Sequence, residues 1–222
     1  MIEAVIFDCD GVLVDSEVLA VEVETQMLAE LGLVYDHALF KARFMGMSDA
    51  AFFAELDADC REKLGIPLPL DFAGRCRERL YREVGVRLVE VAGARKAVAG
   101  LTRKKAVASS STLEKLHIKL ARAALWDHFA PHVYGADHVR HAKPAPDLFL
   151  YAAERLGTAP SACLVIEDSV NGVLAGVSAG MLVWGFAGGG HMDSGSRARL
   201  AAAGSERIVD SWAEAETLFA CL

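Results

Sequence analysis

Two aspartates one residue apart, Asp8 and Asp10, close the apolar run Ala4-Val5-Ile6-Phe7, and Gly11 follows at once. The run reads as a buried parallel strand. Side chains at i and i+2 of a strand point the same way, roughly 6.6 Å apart. Both carboxylates therefore leave the strand end on one face, while Cys9 points the other way as a packing residue. Gly11 allows a sharp turn beyond them. Two carboxylates so placed suit a hard cation, and one can attack an electrophile while the other moves a proton. The same three residues also suit a polar strand end leading into an Asx turn, so the pair alone does not decide.

In open parallel sheets ligands bind beyond the carboxyl ends of the strands, so the missing groups are sought at other strand ends. After Lys105–Ala108 come Ser109-Ser110-Ser111 and then Thr112-Leu113-Glu114. Ser111 and Glu114 have capping-box spacing, which sets free backbone amides beside the Ser109 hydroxyl and favours an anion such as a phosphoryl group. Plain helix capping is the alternative. Lys143 lies in His141-Ala142-Lys143-Pro144-Ala145-Pro146-Asp147. The first proline biases Lys143 to extended backbone, and the second stiffens the loop. A lysine fixed there neutralises a nucleophilic carboxylate and developing phosphoryl charge; the alternative is a solvated surface lysine. Glu167 and Asp168 end the strand Cys163–Ile166, where one carboxylate can complete a magnesium site. Otherwise Asp168 or Ser169 caps the helix beginning near Val170. Each piece alone is weak, but all four fall at strand ends in one order.

The elements that must position these groups follow from short apolar strands alternating with helical patterns. Strands are expected at Ala4–Asp8, Lys105–Ala108, His132–Tyr134, Cys163–Ile166, Met181–Trp184 and, weakly, Arg207–Val209. Helices are expected at Leu113–Ala124, Asp147–Leu156, Val170–Ala179, Ser196–Ala202 and Ala213–Phe219. This is an α/β chain with a doubly wound parallel sheet covered by helices on both faces. Residues 16–88 break the alternation with three or four helical patterns, such as Glu17–Leu31, Ser48–Leu64 and Leu70–Val84, and no convincing strand. They read as a small all-helical inserted domain, leaving 1–15 and 89–222 as the core.

Composition narrows the partners. With 222 residues, 53% hydrophobic and 24% charged, the chain has ample core for a soluble globule. A formal charge of -7 disfavours nonspecific nucleic-acid binding. The Arg103-Lys104-Lys105 run reads as the solvated start of a strand. Five cysteines form no metal or redox spacing and are expected as reduced thiols. The first strand begins so near Met1 that no signal peptide is expected, which points to the cytoplasm. Residues 172–190 carry no charge, but divide into a helix ending at Gly180 and a strand rather than a membrane span. The spacing of Gly172, Gly176 and Gly180 is read as close packing of a helix on the sheet. No histidine is given a role, and a monomer is the default.

Taken together, the chain resembles the haloacid dehalogenase superfamily over essentially its whole length, in the branch with a helical cap after the first motif, near β-phosphoglucomutase and the sugar-phosphate phosphatases. The resemblance implies a Rossmann-like core, Asp8 as nucleophile, Asp10 as acid/base, Ser109 and Lys143 as phosphate ligands, and Asp168 as metal acid with Glu167 beside it. Ser110 joins the expected phosphate-binding set, and Asp8 and Asp10 the expected magnesium set. The implied reaction is magnesium-dependent phosphoryl transfer through an aspartyl phosphate, acting on a small phosphorylated metabolite such as a sugar or sugar-acid phosphate. Asp10 separates the chain from branches that lack an acid two residues after the nucleophile. The mutase is the alternative, and a non-catalytic binding domain that keeps the fold is a lesser one. The mutase's cap histidine and arginine match Ala20 and, after Gly46-Met47-Ser48, Asp49, an acid that would repel a second phosphate. Arg77 and Arg43 are the candidate cap cations, each with a solvated helix face as its alternative.

Overall fold

The computed structural model describes residues 1–220 apart from 45, 46 and 48, and only the backbone of Ala42 and Asp49. The Gly46-Met47-Ser48 turn as a whole, the Asp49 side chain and Cys221 lie outside the described residues. Six strands form one sheet: β1 (Ala4–Phe7), β2 (Lys104–Ala108), β3 (Val133–Tyr134), β4 (Cys163–Glu167), β5 (Leu182–Phe186) and β6 (Arg207–Val209). Their order is β3-β2-β1-β4-β5-β6, and every pair is parallel. The chain thus winds outward from β1 through β2 to β3, then returns to β4 and winds the other way. The direction reverses between β1 and β4, where Phe7 pairs with Ile166. Such a switch point opens a crevice at the carboxyl ends of its two strands.

The chain divides into two compact units, one of residues 1–16 and 88–222 and one of residues 17–87. The second is helical: α1 (Ser16–Glu30, starting on the boundary), α2 (His37–Phe44), α3 (Asp49–Leu64) and α4 (Phe72–Arg87). Phe40, Leu56, Cys60, Phe72 and Cys76 are buried in it. The Phe40, Phe44 and Phe52 rings pack with their centroids 4.8 to 6.0 Å apart, and Tyr35 packs edge-on against Phe40 and Phe44.

The first unit covers its sheet with α5 (Ala94–Gly100), α6 (Leu113–Arg122), α7 (Trp126–Phe129), α8 (Asp147–Leu156), α9 (Val170–Ser178), α10 (Ser196–Ala202) and α11 (Trp212–Phe219). Strand alternation sorts the core. Ala4, Ile6, Ala106, Ala108, Cys163, Val165 and Val183 face Leu148, Phe149 and Ala152 of α8, Val173 of α9 and Leu200 of α10. On the opposite face Phe7 packs against Phe129 at 5.5 Å and Trp212 at 5.8 Å, and Phe186 meets Trp212 at 4.9 Å.

The short helices α2, α5 and α7 were not placed from the sequence. Most other boundaries move by three residues or fewer, and Asp147–Leu156, Ser196–Ala202 and Arg207–Val209 stand as read. The uncharged run resolves into α9 and β5, and among the described residues no helix is long and apolar enough to cross a membrane. The basic run that opens β2 is not simply solvated. Lys104 donates to the Leu156 and Gly157 carbonyls at the end of α8, and Lys105 to the Val98 and Leu101 carbonyls at the end of α5. Cys9, Cys60, Cys76 and Cys163 are buried free thiols.

Candidate active site at the switch point

Asp8 is the first residue past β1, and its N–H still donates to the Ile166 carbonyl at 3.0 Å, so its side chain is delivered into the crevice between β1 and β4. The chain then turns back. Leu13 and Val14 N–H both donate to the Cys9 carbonyl, and Gly11 adopts φ +74°. A Cβ on Gly11 would stand 1.8 Å from Asp168 Oδ2, so this position requires glycine twice over, for its conformation and for clearance. Cys9 is fully buried, as strand alternation predicts.

Lys143 is brought to this point by the loop ahead of α8. Its Nζ lies 2.6 Å from Asp8 Oδ1, 2.6 Å from Glu167 Oε1 and 2.9 Å from the Ala108 carbonyl, so it is no surface lysine. Glu167, the last residue of β4, is held on its other side as well. Its Oε2 accepts from the Ser169 N–H at 2.8 Å and hydroxyl at 2.9 Å. The Ser169 Oγ in turn caps α9 by accepting from the Gly172 N–H at 3.0 Å, which settles the choice between Asp168 and Ser169.

Ligand oxygens of Asp8, Glu167 and Asp168 all lie within 4.8 Å of one another. Burial pushes Asp8 well above the usual carboxylate range, with Lys143 pulling against it. Burial likewise pushes Asp168 up to about 7, although His191 opposes it. Burial alone would lower Lys143, yet Asp8 and Glu167 hold it above the ordinary lysine value. Three carboxylates against one ammonium leave a surplus of negative charge in an all-oxygen donor set, which suits a hard divalent cation.

The structure separates Asp10 from that acidic group. Its Oδ1 accepts from Lys119 Nζ at 2.5 Å and from the Ser16 hydroxyl, and its Oδ2 from the Ser111 hydroxyl at 3.2 Å. Ser111 therefore does not cap α6 through a capping box with Glu114. That helix begins at Leu113 with Thr112 before it; the Thr112 side chain makes no cap bond, and Asp137 Oδ1 accepts from the Leu113 N–H at 3.1 Å instead. Ser109 is buried beside the site, its Oγ accepting from the Ser111 N–H at 3.3 Å, and Ser110 is exposed. Arg77 stands exposed on α4 in the helical unit. Arg43 is committed there to Asp59 and Glu55.

Sequence reasoning missed Lys119, Ser16 and His191, and read Ser111 as a helix cap. Lys119 lies three residues after Leu116 and just before Leu120, both buried, which puts it at the margin of the inward face of α6. That periodicity was the available signal. His191 follows β5 through three glycines, another strand end at the same sheet edge. Its Nε2 lies 3.2 Å from Asp168 Oδ2, so at least one histidine does belong to the site. The loop is pinned by the Gly190 N–H donating to Asp15 Oδ1 at 3.0 Å.

A doubly wound sheet with carboxylates and a buried lysine converging at its switch point defines an α/β enzyme that works at the strand ends. The haloacid dehalogenase-like hydrolase family model matches residues 2–180. The chain is 29% identical to 6-phosphogluconate phosphatase of Escherichia coli over 195 residues, covering 86% of this chain and 85% of that one. It is 35% identical to the phosphorylated carbohydrates phosphatase of Thermotoga maritima over 183 residues, covering 81% and 82%. The crystal structure of a HAD family hydrolase from Deinococcus radiodurans, with bound phosphate and sodium, superposes with a TM-score of 0.86 at 34% identity, covering 99% of this chain and 95% of that one. The chain belongs to the haloacid dehalogenase-like hydrolases.

Proposed function

We propose that this hydrolase is a magnesium-dependent phosphatase acting on a small sugar or sugar-acid phosphate through a phosphoryl group carried on Asp8. The observation that carries the reading is the Lys143 ammonium set 2.6 Å from both Asp8 and Glu167 at the switch point. A nucleophilic carboxylate that must approach a phosphoryl dianion needs fixed positive charge beside it. The names of the Escherichia coli and Thermotoga maritima relatives support the substrate class.

An Asp8 oxygen attacks phosphorus in line while the bond to the leaving oxygen breaks, and Asp10 gives that oxygen a proton. Water then attacks the same phosphorus, giving its proton to Asp10, and the electron pair of the breaking bond returns to Asp8. Lys143, the Ser109 hydroxyl and the Ser110 amide meet the phosphoryl oxygens. Asp8 and Asp168 are the acids that would hold magnesium, because both oxygens of Glu167 are already engaged by Lys143 and Ser169. When bound, the ion spreads charge from the phosphoryl oxygens. Residues 16–88 are assigned the role of cap, which selects the substrate, with Arg77 as its candidate cation.

Phosphate release from 6-phosphogluconate, fructose 1-phosphate and hexitol phosphates, with and without magnesium and with Asp8→Asn as control, tests the reading. Magnesium-dependent turnover that the variant lacks is expected. Activity that survives in Asp8→Asn would sink it, and silence across the panel would turn attention to hexose-1-phosphate isomerisation.

A further inference from the structure

Lys119 sits in the site yet transfers neither a proton nor a phosphoryl group in the two steps above. Its side chain is only 13% exposed, and its Nζ touches both Asp10 Oδ1 at 2.5 Å and Ser111 Oγ at 3.1 Å. Ser111 reaches Asp10 Oδ2 at 3.2 Å, so lysine, serine and aspartate close a triangle. Ser16 adds a fourth contact on Oδ1. Both Asp10 oxygens are thus held by donors of the chain itself, from the second turn of α6, the loop before it and the first residue of α1.

Holding of this kind matters unequally in the two steps. When the ester is cleaved, the substrate's leaving oxygen touches Asp10 and helps to place it. In the second step that group has gone, and only the protein can aim the carboxylate at a small water molecule. From this asymmetry we infer that Lys119 is a positioning residue for dephosphorylation: with Ser111 it fixes Asp10 to receive a proton from water. In that step the water oxygen bonds phosphorus as the phosphorus–Oδ bond to Asp8 breaks. The electron pair returns to Asp8, the water proton goes to Asp10, and inorganic phosphate is the product. The inference deepens the phosphatase reading and rests on it.

p-Nitrophenyl phosphate separates the steps, since p-nitrophenolate leaves without needing a proton and so makes little demand on Asp10 in the first. Rapid mixing of the full chain in magnesium buffer follows the nitrophenolate burst and then the steady rate. Lys119→Met is expected to keep a burst equal to the enzyme present, while the steady rate falls about tenfold or more. Ser111→Ala should show a milder form of the same split, and Lys119→Arg should recover part of the rate. Unchanged kinetics in Lys119→Met, or burst and steady rate falling together in both Lys119→Met and Ser111→Ala, would overturn the inference. An inactive wild type, or turnover that survives Asp8→Asn, would instead overturn the phosphatase reading beneath it.

Discussion

At the scale of single residues, the site is organised by charges that cannot stand alone. The Lys143, Asp8 and Glu167 side chains are 4%, 10% and 1% exposed. Burial of this depth is tolerable because each carboxylate meets the ammonium at 2.6 Å. Removing the lysine leaves two carboxylates facing each other out of water, and breaking a buried pair from one side costs about 3–5 kcal/mol. Lys143→Met is therefore expected to lose that much stability in metal-free urea unfolding, besides losing turnover. Magnesium should return part of the loss, because an ion that binds only the folded protein stabilises it. An unchanged urea midpoint would show that the two acids relieve their charge without Lys143. Asp8, Lys143 and Asp168 were legible in the sequence because strand ends in a parallel sheet converge, so position along the chain stood in for position in space. Lys119 was not, because it reaches Asp10 from within a helix, and no strand-end rule points to it.

At the scale of elements, the helix that follows Glu167 and Asp168 is fitted to Glu167 through Gly172 and to the sheet through Gly176. A Cβ on Gly172 would stand 1.7 Å from Glu167 Oε1, whereas one on Gly176 would meet Val183 Cγ2 at 2.7 Å on the strand behind. Both are places of close approach in α9, but only the first touches the site. Overfilling a packed position costs roughly 1–3 kcal/mol. Gly172→Ala and Gly176→Ala should thus lower the thermal midpoint by similar amounts. Turnover per folded molecule should collapse in Gly172→Ala, where Glu167 must leave Lys143, and stay near wild type in Gly176→Ala. Equal turnover in the two would mean that Glu167 is not needed where it lies. The four-residue spacing was readable as close packing on a sheet, and both contacts bear that out. Gly180 does not share it. Nothing lies within 4 Å of its would-be Cβ, and its φ of +71° makes it the turn that ends the helix. What Gly172 clears was not readable, because Glu167 folds back over the start of its own following helix.

At the scale of the whole molecule, the parallel sheet with helices on both faces follows from alternation of apolar strands with helices, while α2, α5 and α7 escaped because eight, seven and four residues show too little periodicity. In the helical unit the patterns marked helices without revealing what locks them. That lock is Asp59 of α3, whose side chain is 6% exposed. Its Oδ2 accepts from Arg43 Nη1 at 2.6 Å, from the Tyr35 hydroxyl at 2.5 Å and from Lys63 Nζ at 3.3 Å. The Arg43 guanidinium holds the Asp59 carboxyl down at about 2 against its burial. A carboxyl depressed in the folded state stabilises the fold above its unfolded value near 4, and that contribution fades as pH falls towards about 2. Arg43 is 39% exposed, so solvent screening trims the contribution to about 1–2 kcal/mol. The full chain and its Asp59→Asn variant should therefore differ by that amount in unfolding free energy at pH 7 and pH 5. The difference should narrow steadily between pH 4 and pH 2. Carboxylates elsewhere titrate alike in both proteins and cancel in the comparison, so the narrowing belongs to Asp59. A gap that stayed constant down to pH 2.5 would mean that hydrogen bonds which asparagine cannot replace, rather than the charge, hold the helices together.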